Sequence, residues 1–169
     1  MSQSPPHRSV VIGVTPHQPQ SVLHTAARLA RALGADLVCA HVDTSAYVVE
    51  EHPDGTVETR PLDPDAQEWI SVRFDPVLAE RIGQIAAKEG VSARTIELAG
   101  EVARALGRLA EVVGAELIVV GARSGVRASV REYFSGSVAV HLAHRQTRPV
   151  VVVPLTVRAE GPLPWEDEQ

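Results

Sequence analysis

Leu117-Ile118-Val119-Val120-Gly121-Ala122-Arg123-Ser124-Gly125, with Gly136-Ser137-Val138 following ten residues after Gly125, decides the fold. An unbroken apolar run ending in glycine reads as a buried strand, because a strand covered on both faces loses its in–out alternation. The Gly-Ser pair opens a helical pattern to about His144, with Val138, His141 and Leu142 inward. Glycines let backbone approach a ligand, and a helix N-terminus offers unpaired N–H groups at its positive end. The stretch is therefore a phosphate-binding turn, or a plain reversal in which Gly121 and Gly125 bend the chain and Ser135 or Ser137 caps the helix. Either way it is strand, loop, helix.

The same alternation extends in both directions. Val10–Val14, Leu37–Val42, Thr95–Leu98 and Val150–Val153 are further strand signals. The stretch Arg94 to Leu98 alternates, as expected at a sheet edge. Val22, Ala26, Leu29, Ala30 and Leu33 form one helical face, closed by Gly34. Asp75–Pro76 reads as an N-cap with proline at the first helical position, ahead of Leu78, Ile82, Ile85 and Ala86. Val102, Ala105, Leu106, Leu109, Ala110 and Val113 form a third stripe. Five strands alternating with helices predict an α/β domain built on a parallel sheet.

Residues 43–75 do not fit that alternation. They are too long for a structureless loop and carry a hairpin signal, Tyr47–Glu51 and Thr56–Arg60 around His52-Pro53-Asp54-Gly55. We read a two-stranded flap inserted in a single domain spanning 1–169, with 155–169 as an acidic, flexible tail.

The chain has 169 residues, a net charge of −5 and one cysteine, with 4% aromatics. Net acidity and few aromatics argue against a nucleic-acid binder. No apolar run is long enough for a membrane span and no apolar leader is visible, so a cytoplasmic protein is expected. Cys39 fits a reducing compartment. The acidity is local: residues 43–75 hold nine acids against two arginines, and residues 155–169 four acids against one. The stretch 121–148 holds five arginines against Glu132, a basic segment where a phosphate turn would lie.

These motifs together resemble the universal stress protein family. The resemblance rests on Val10-Val11-Ile12-Gly13-Val14, Gly100-Glu101-Val102-Ala103-Arg104-Ala105, Leu117 to Gly121, Gly136-Ser137-Val138-Ala139 and Arg148-Pro149 to Pro154. It implies a doubly wound five-stranded sheet with helices on both faces, in strand order 3-2-1-4-5, plus the hairpin insertion. It also implies a stress-response regulator binding ATP or another adenine nucleotide, with Mg only if nucleotide is bound. By resemblance Val42 lies beside the adenine and Thr15 near the ribose. Gly125, Gly136, Ser137 and Val138 surround the phosphates, and Val14 and Gly121 complete the set. The chain departs from the family pattern twice: its loop is two residues longer, and Thr15 stands where nucleotide-binding members carry Asp. A dimeric scaffold that binds no nucleotide is the alternative these departures leave open. The last strand, Val150, Val151, Val152 and Val153, continuing through Leu155 to Val157, is the implied homodimer edge.

Other candidates have simpler readings beside them. Arg123, Arg127 and Arg131 recur every fourth residue and either meet phosphates or form a solvated face. His141 and His144 have metal-ligand spacing but no further ligand nearby, so no metal is expected. Ser124 and Ser129 are phosphorylation candidates or ordinary exposed serines. His17 follows the first strand without a partner, so no catalytic set assembles, and nucleotide hydrolysis is expected to be slow at most. A downstream protein partner is expected and is not named by any motif.

Overall fold

The structure is a computed structural model, and it describes residues 8–63, 74–122 and 138–155. In chain order the elements are β1 (Ser9–Gly13), α1 (Gln20–Leu33), β2 (Asp36–Asp43), β3 (Ala46–Glu51) and β4 (Val57–Pro61). Then come α2 (Pro76–Glu89), β5 (Ala93–Ala99), α3 (Val102–Val112), β6 (Ala115–Gly121), α4 (Val138–Arg145) and β7 (Val150–Val153). Five strands form a parallel sheet in the order β5-β2-β1-β6-β7, and β3 pairs antiparallel with β4 in a separate hairpin. The alternating strand β5 lies at the sheet edge, where one side needs no cover.

Continuous apolarity has the cause the sequence suggested: side chains alternate between two cores. Val10, Ile12, Leu37, Cys39 and Val119 pack with α1 and α2 on one face. Val11, Val38, Ala40, Ile118 and Val120 pack with α3 and Leu142 of α4 on the other. The helix starts are set locally. The Asp75 carboxylate accepts from the amides of Val77 and Leu78, and the Glu101 carboxylate from those of Ala103 and Arg104. Each satisfies two N–H groups that a helix start otherwise leaves unpaired.

The hairpin is a strap laid along the β5 edge and over α3. Its turn is held by Asp54, whose Oδ1 accepts from the Thr56 amide and hydroxyl. The turn's backbone rests on α3, and Arg94 Nη1 donates to the Asp54 carbonyl at 3.2 Å. Arg108 of α3 reaches Glu51 of β3 at 3.1 Å.

Two expectations are corrected. The last strand does not continue through Leu155. It stops at Val153, and Leu155 joins the core on the α1 side, where apolar cover is available. His141 is half-exposed rather than inward, with Nδ1 3.9 Å from Glu101 Oε1, because Leu142 alone takes the fully buried position on α4.

Candidate functional site

The strand order reverses between β1 and β6. From β1 the chain winds one way through β2 to β5, and from β6 the other way to β7. α1, which follows β1, and α4, which follows β6, pack on opposite faces of the sheet, and the ends of these two strands mark the place where open α/β sheets form their crevice.

On the β1 side the chain makes a tight turn. The Gln18 amide donates to the Thr15 carbonyl at 3.2 Å, and the Thr15 amide donates to Gln18 Oε1 at 3.1 Å. Pro16 presets the backbone for this turn. Val14 continues the β1–β2 ladder, its amide donating to the Ala40 carbonyl at 2.9 Å, and its side chain is buried. Only backbone at Val14 is thus presented to the crevice. Thr15 is exposed.

Across the crevice, Gly121 ends β6 in register with Val153. A Cβ there would fall 2.8 Å from Leu155 Cδ2, 3.3 Å from Gln18 Nε2 and 3.5 Å from Val22 Cγ2. The missing side chain lets Leu155 and Gln18 converge on one point. Val42 is half-buried at the end of β2 on the α3 side. Beside it the Asp43 carboxylate accepts from the Ser45 amide and hydroxyl, and the Gly100 amide donates to the Asp43 carbonyl.

Val14, Thr15 and Gly121 therefore lie at the ends of the adjacent strands β1 and β6, with Val42 at the end of β2 on the other side of β1. Val138 begins α4. Arg123, Ser124, Gly125, Arg127, Ser129, Arg131, Ser135, Gly136, Ser137 and the tail beyond Leu155 lie outside the described residues. Among the described residues no group of three or more His, Cys, Asp or Glu is placed to hold a metal ion. No helix among them is long and apolar enough to cross a membrane.

Sequence reasoning missed two groups. Gln18 carried no signal except its place three residues after Thr15 in a proline turn. His41 and Glu97 are partners in the β2–β5 register, with Nδ1 and Oε1 2.6 Å apart. The Glu97 hydrogen bond holds the imidazole above its ordinary pKa against the opposing effect of burial, and the charges of Glu97, Asp43 and Asp75 add to it. The other carboxylate oxygen, Glu97 Oε2, is buried without a partner among the described residues. Only knowledge of the strand register brings these two residues together.

A cavity of about 1150 Å³ lies elsewhere, between the strap and the outer face of α3. Tyr47, Val48, Glu51, Arg104, Arg108 and Arg145 are among its walls. It is open and lined by both charge signs, and Arg108 is already bound to Glu51 and Glu111. Size alone does not make it the site. The reversal of strand order is the better guide.

The fold is that of a doubly wound α/β protein whose strand order reverses between β1 and β6. The universal stress protein family profile matches residues 6–154, and the chain belongs to that family. No curated protein matches it in sequence. A universal stress protein solved in complex with cAMP is 21% identical, with a TM-score of 0.60, over 90% of this chain and 100% of that one. The Archaeoglobus fulgidus universal stress protein in complex with dAMP is 19% identical, with a TM-score of 0.54, over 88% and 98% of the two chains. An Arabidopsis thaliana universal stress protein family protein with AMP bound is 13% identical, with a TM-score of 0.53, over 95% and 99%.

Proposed function

We propose that this protein is a stress-response regulator that binds an adenine nucleotide in the β1–β6 crevice. Its base would lie beside Val42, its ribose across Thr15, and its phosphates toward Gly121 and the start of α4. Arg123 and Arg127 would supply phosphate-side charge, and Mg²⁺ would enter only with the nucleotide. The output is a change of conformation or partner, not turnover. One observation carries the reading: the strand order reverses between β1 and β6, and the strap lies along the β5 edge, so the described hairpin does not cover the crevice. Neighbours of the same fold hold cAMP, dAMP and AMP, which supports the ligand class.

The test is direct. Protein purified without added nucleotide is denatured, and the supernatant is analysed for ATP, ADP, AMP and cyclic AMP. The refolded or nucleotide-stripped protein is then titrated calorimetrically with ATP·Mg²⁺ and AMP. Co-purified nucleotide or saturable heat supports the reading, and absence of both overturns it.

A second reading is a dimeric scaffold without nucleotide, favoured by Leu155, which packs against Gly121 at the crevice. Homodimerisation belongs to both readings. β7 is an edge strand, and Val152 on it is 47% exposed. Pairing two such edges would satisfy backbone groups that an open sheet leaves in water.

A further inference from the structure

We propose that the groove between the strap and the outer face of α3 docks an extended, acidic segment of a partner protein, which adds as a strand to the free edge of β3. The site is separate from the β1–β6 crevice and does not rest on the nucleotide reading.

Backbone gives the first reason. β3 pairs with β4 on one side only, and among the described residues its other edge makes no backbone hydrogen bond. The groove takes Tyr47, Val48 and Glu51 from β3 but only Val57 from β4, so the unpaired edge borders it. Open N–H and C=O groups on an edge strand are a template for a further strand. Tyr47, Val48 and Val49 are also exposed in succession, where a strand in water alternates apolar with polar. Contiguous apolar exposure of this kind marks an interaction surface. The groove holds about 1150 Å³ and is open to solvent. That is larger than the pockets of about 300–1,000 Å³ that enclose small ligands, and it suits a length of chain.

Charge gives the second reason and sets the chemistry of the partner. Glu51 and Glu111 are both engaged by Arg108. The two Glu101 oxygens accept from the amides of Ala103 and Arg104. Arg145 Nη1 comes no nearer than 4.0 Å to Glu101 Oε2, and the Arg104 guanidinium has no partner among the described residues. The end of the groove at the start of α3 therefore carries two guanidiniums against one carboxylate, which already serves as the helix cap. Carboxylates on an incoming strand meet those guanidiniums through charge-assisted hydrogen bonds. A basic strand is repelled by them.

The test pans the full chain against a display library of random peptides and measures the enriched peptides by fluorescence anisotropy. Enriched peptides are acidic with interspersed apolar residues, and bound peptide slows hydrogen exchange of the β3 amides from Ala46 to Glu51. Arg104→Glu weakens binding by about tenfold or more, since a hydrogen bond to a charged group is replaced by repulsion. Arg145→Gln weakens it in the same direction and keeps the test open should Arg104→Glu fail to fold. Arg28→Glu on α1, on the opposite face of the sheet, makes the same change of net charge as Arg104→Glu and leaves binding unaltered. Unchanged melting temperatures show that the variants fold. No enrichment, a basic or uncharged consensus, or affinities equal in the wild type and both groove variants overturn the proposal. Protection of the same amides that grows with protein concentration and needs no peptide identifies a second copy of this chain as the occupant, and also overturns it.

Discussion

Gly55→Ala tests whether the strap is packed to the fold or merely lies near it. Gly55 is buried at the hairpin turn with φ +86°, and a Cβ there falls 2.6 Å from Leu109 Cδ1. That is about 1 Å inside ordinary contact between carbons. Leu109 is 2% exposed, so it has no solvent to move into. Gly34→Ala is the matched control: φ is +61° and nothing lies within 4 Å of its Cβ position. The control bears only the left-handed backbone cost, about 1–2 kcal/mol. Gly55→Ala adds overpacking of about 1–3 kcal/mol, for a total of about 2–5 kcal/mol. Denaturant unfolding measures the two losses. Chymotryptic cleavage after Tyr47, which is 45% exposed on β3, reports lifting of the strap. If Gly55→Ala matches Gly34→Ala within about 0.5 kcal/mol and Tyr47 is cut no faster, the strap is not seated on α3 as argued.

Three further outcomes are expected. The His41–Glu97 bond raises the imidazole pKa, so its stabilisation is complete below the ordinary value of 6.5 and is lost as pH rises through the elevated one. Unfolding free energy should fall over that range in the wild type, and this component should vanish in Glu97→Gln. Burial pushes the Cys39 thiol up to about 12, so a thiol reagent at pH 8 should leave the native protein unmodified and label one equivalent after unfolding. On the proposed β7 pairing, light scattering should show a dimer for the wild type and a monomer for Val152→Lys, which places a charge on that edge.

Much of the fold is local in origin and so was visible in the chain. The apolar runs at Val10 and Leu117, the Asp75–Pro76 helix start and the Pro53-Asp54-Gly55 turn each specify their element through neighbours a few residues away. The crevice was half visible. Thr15 and Gly121 follow strands, and ligands gather where such strand ends diverge. The partners of these residues were not visible, because they are distant in sequence. Leu155 meets Gly121, and Glu97 meets His41, only through sheet packing and register.

Sequence by itself therefore determined the α/β class, the five strands with their covering helices, and the inserted hairpin. Apolar periodicity, caps and turns are short-range physics that any stretch of chain carries with it. Tertiary structure decided where the strap lies, that the last strand stops at Val153, and that Gln18 and Leu155 converge on Gly121. Those follow from strand order and from which surfaces remain to be buried once the sheet has formed. Neither is written in any one segment of the chain.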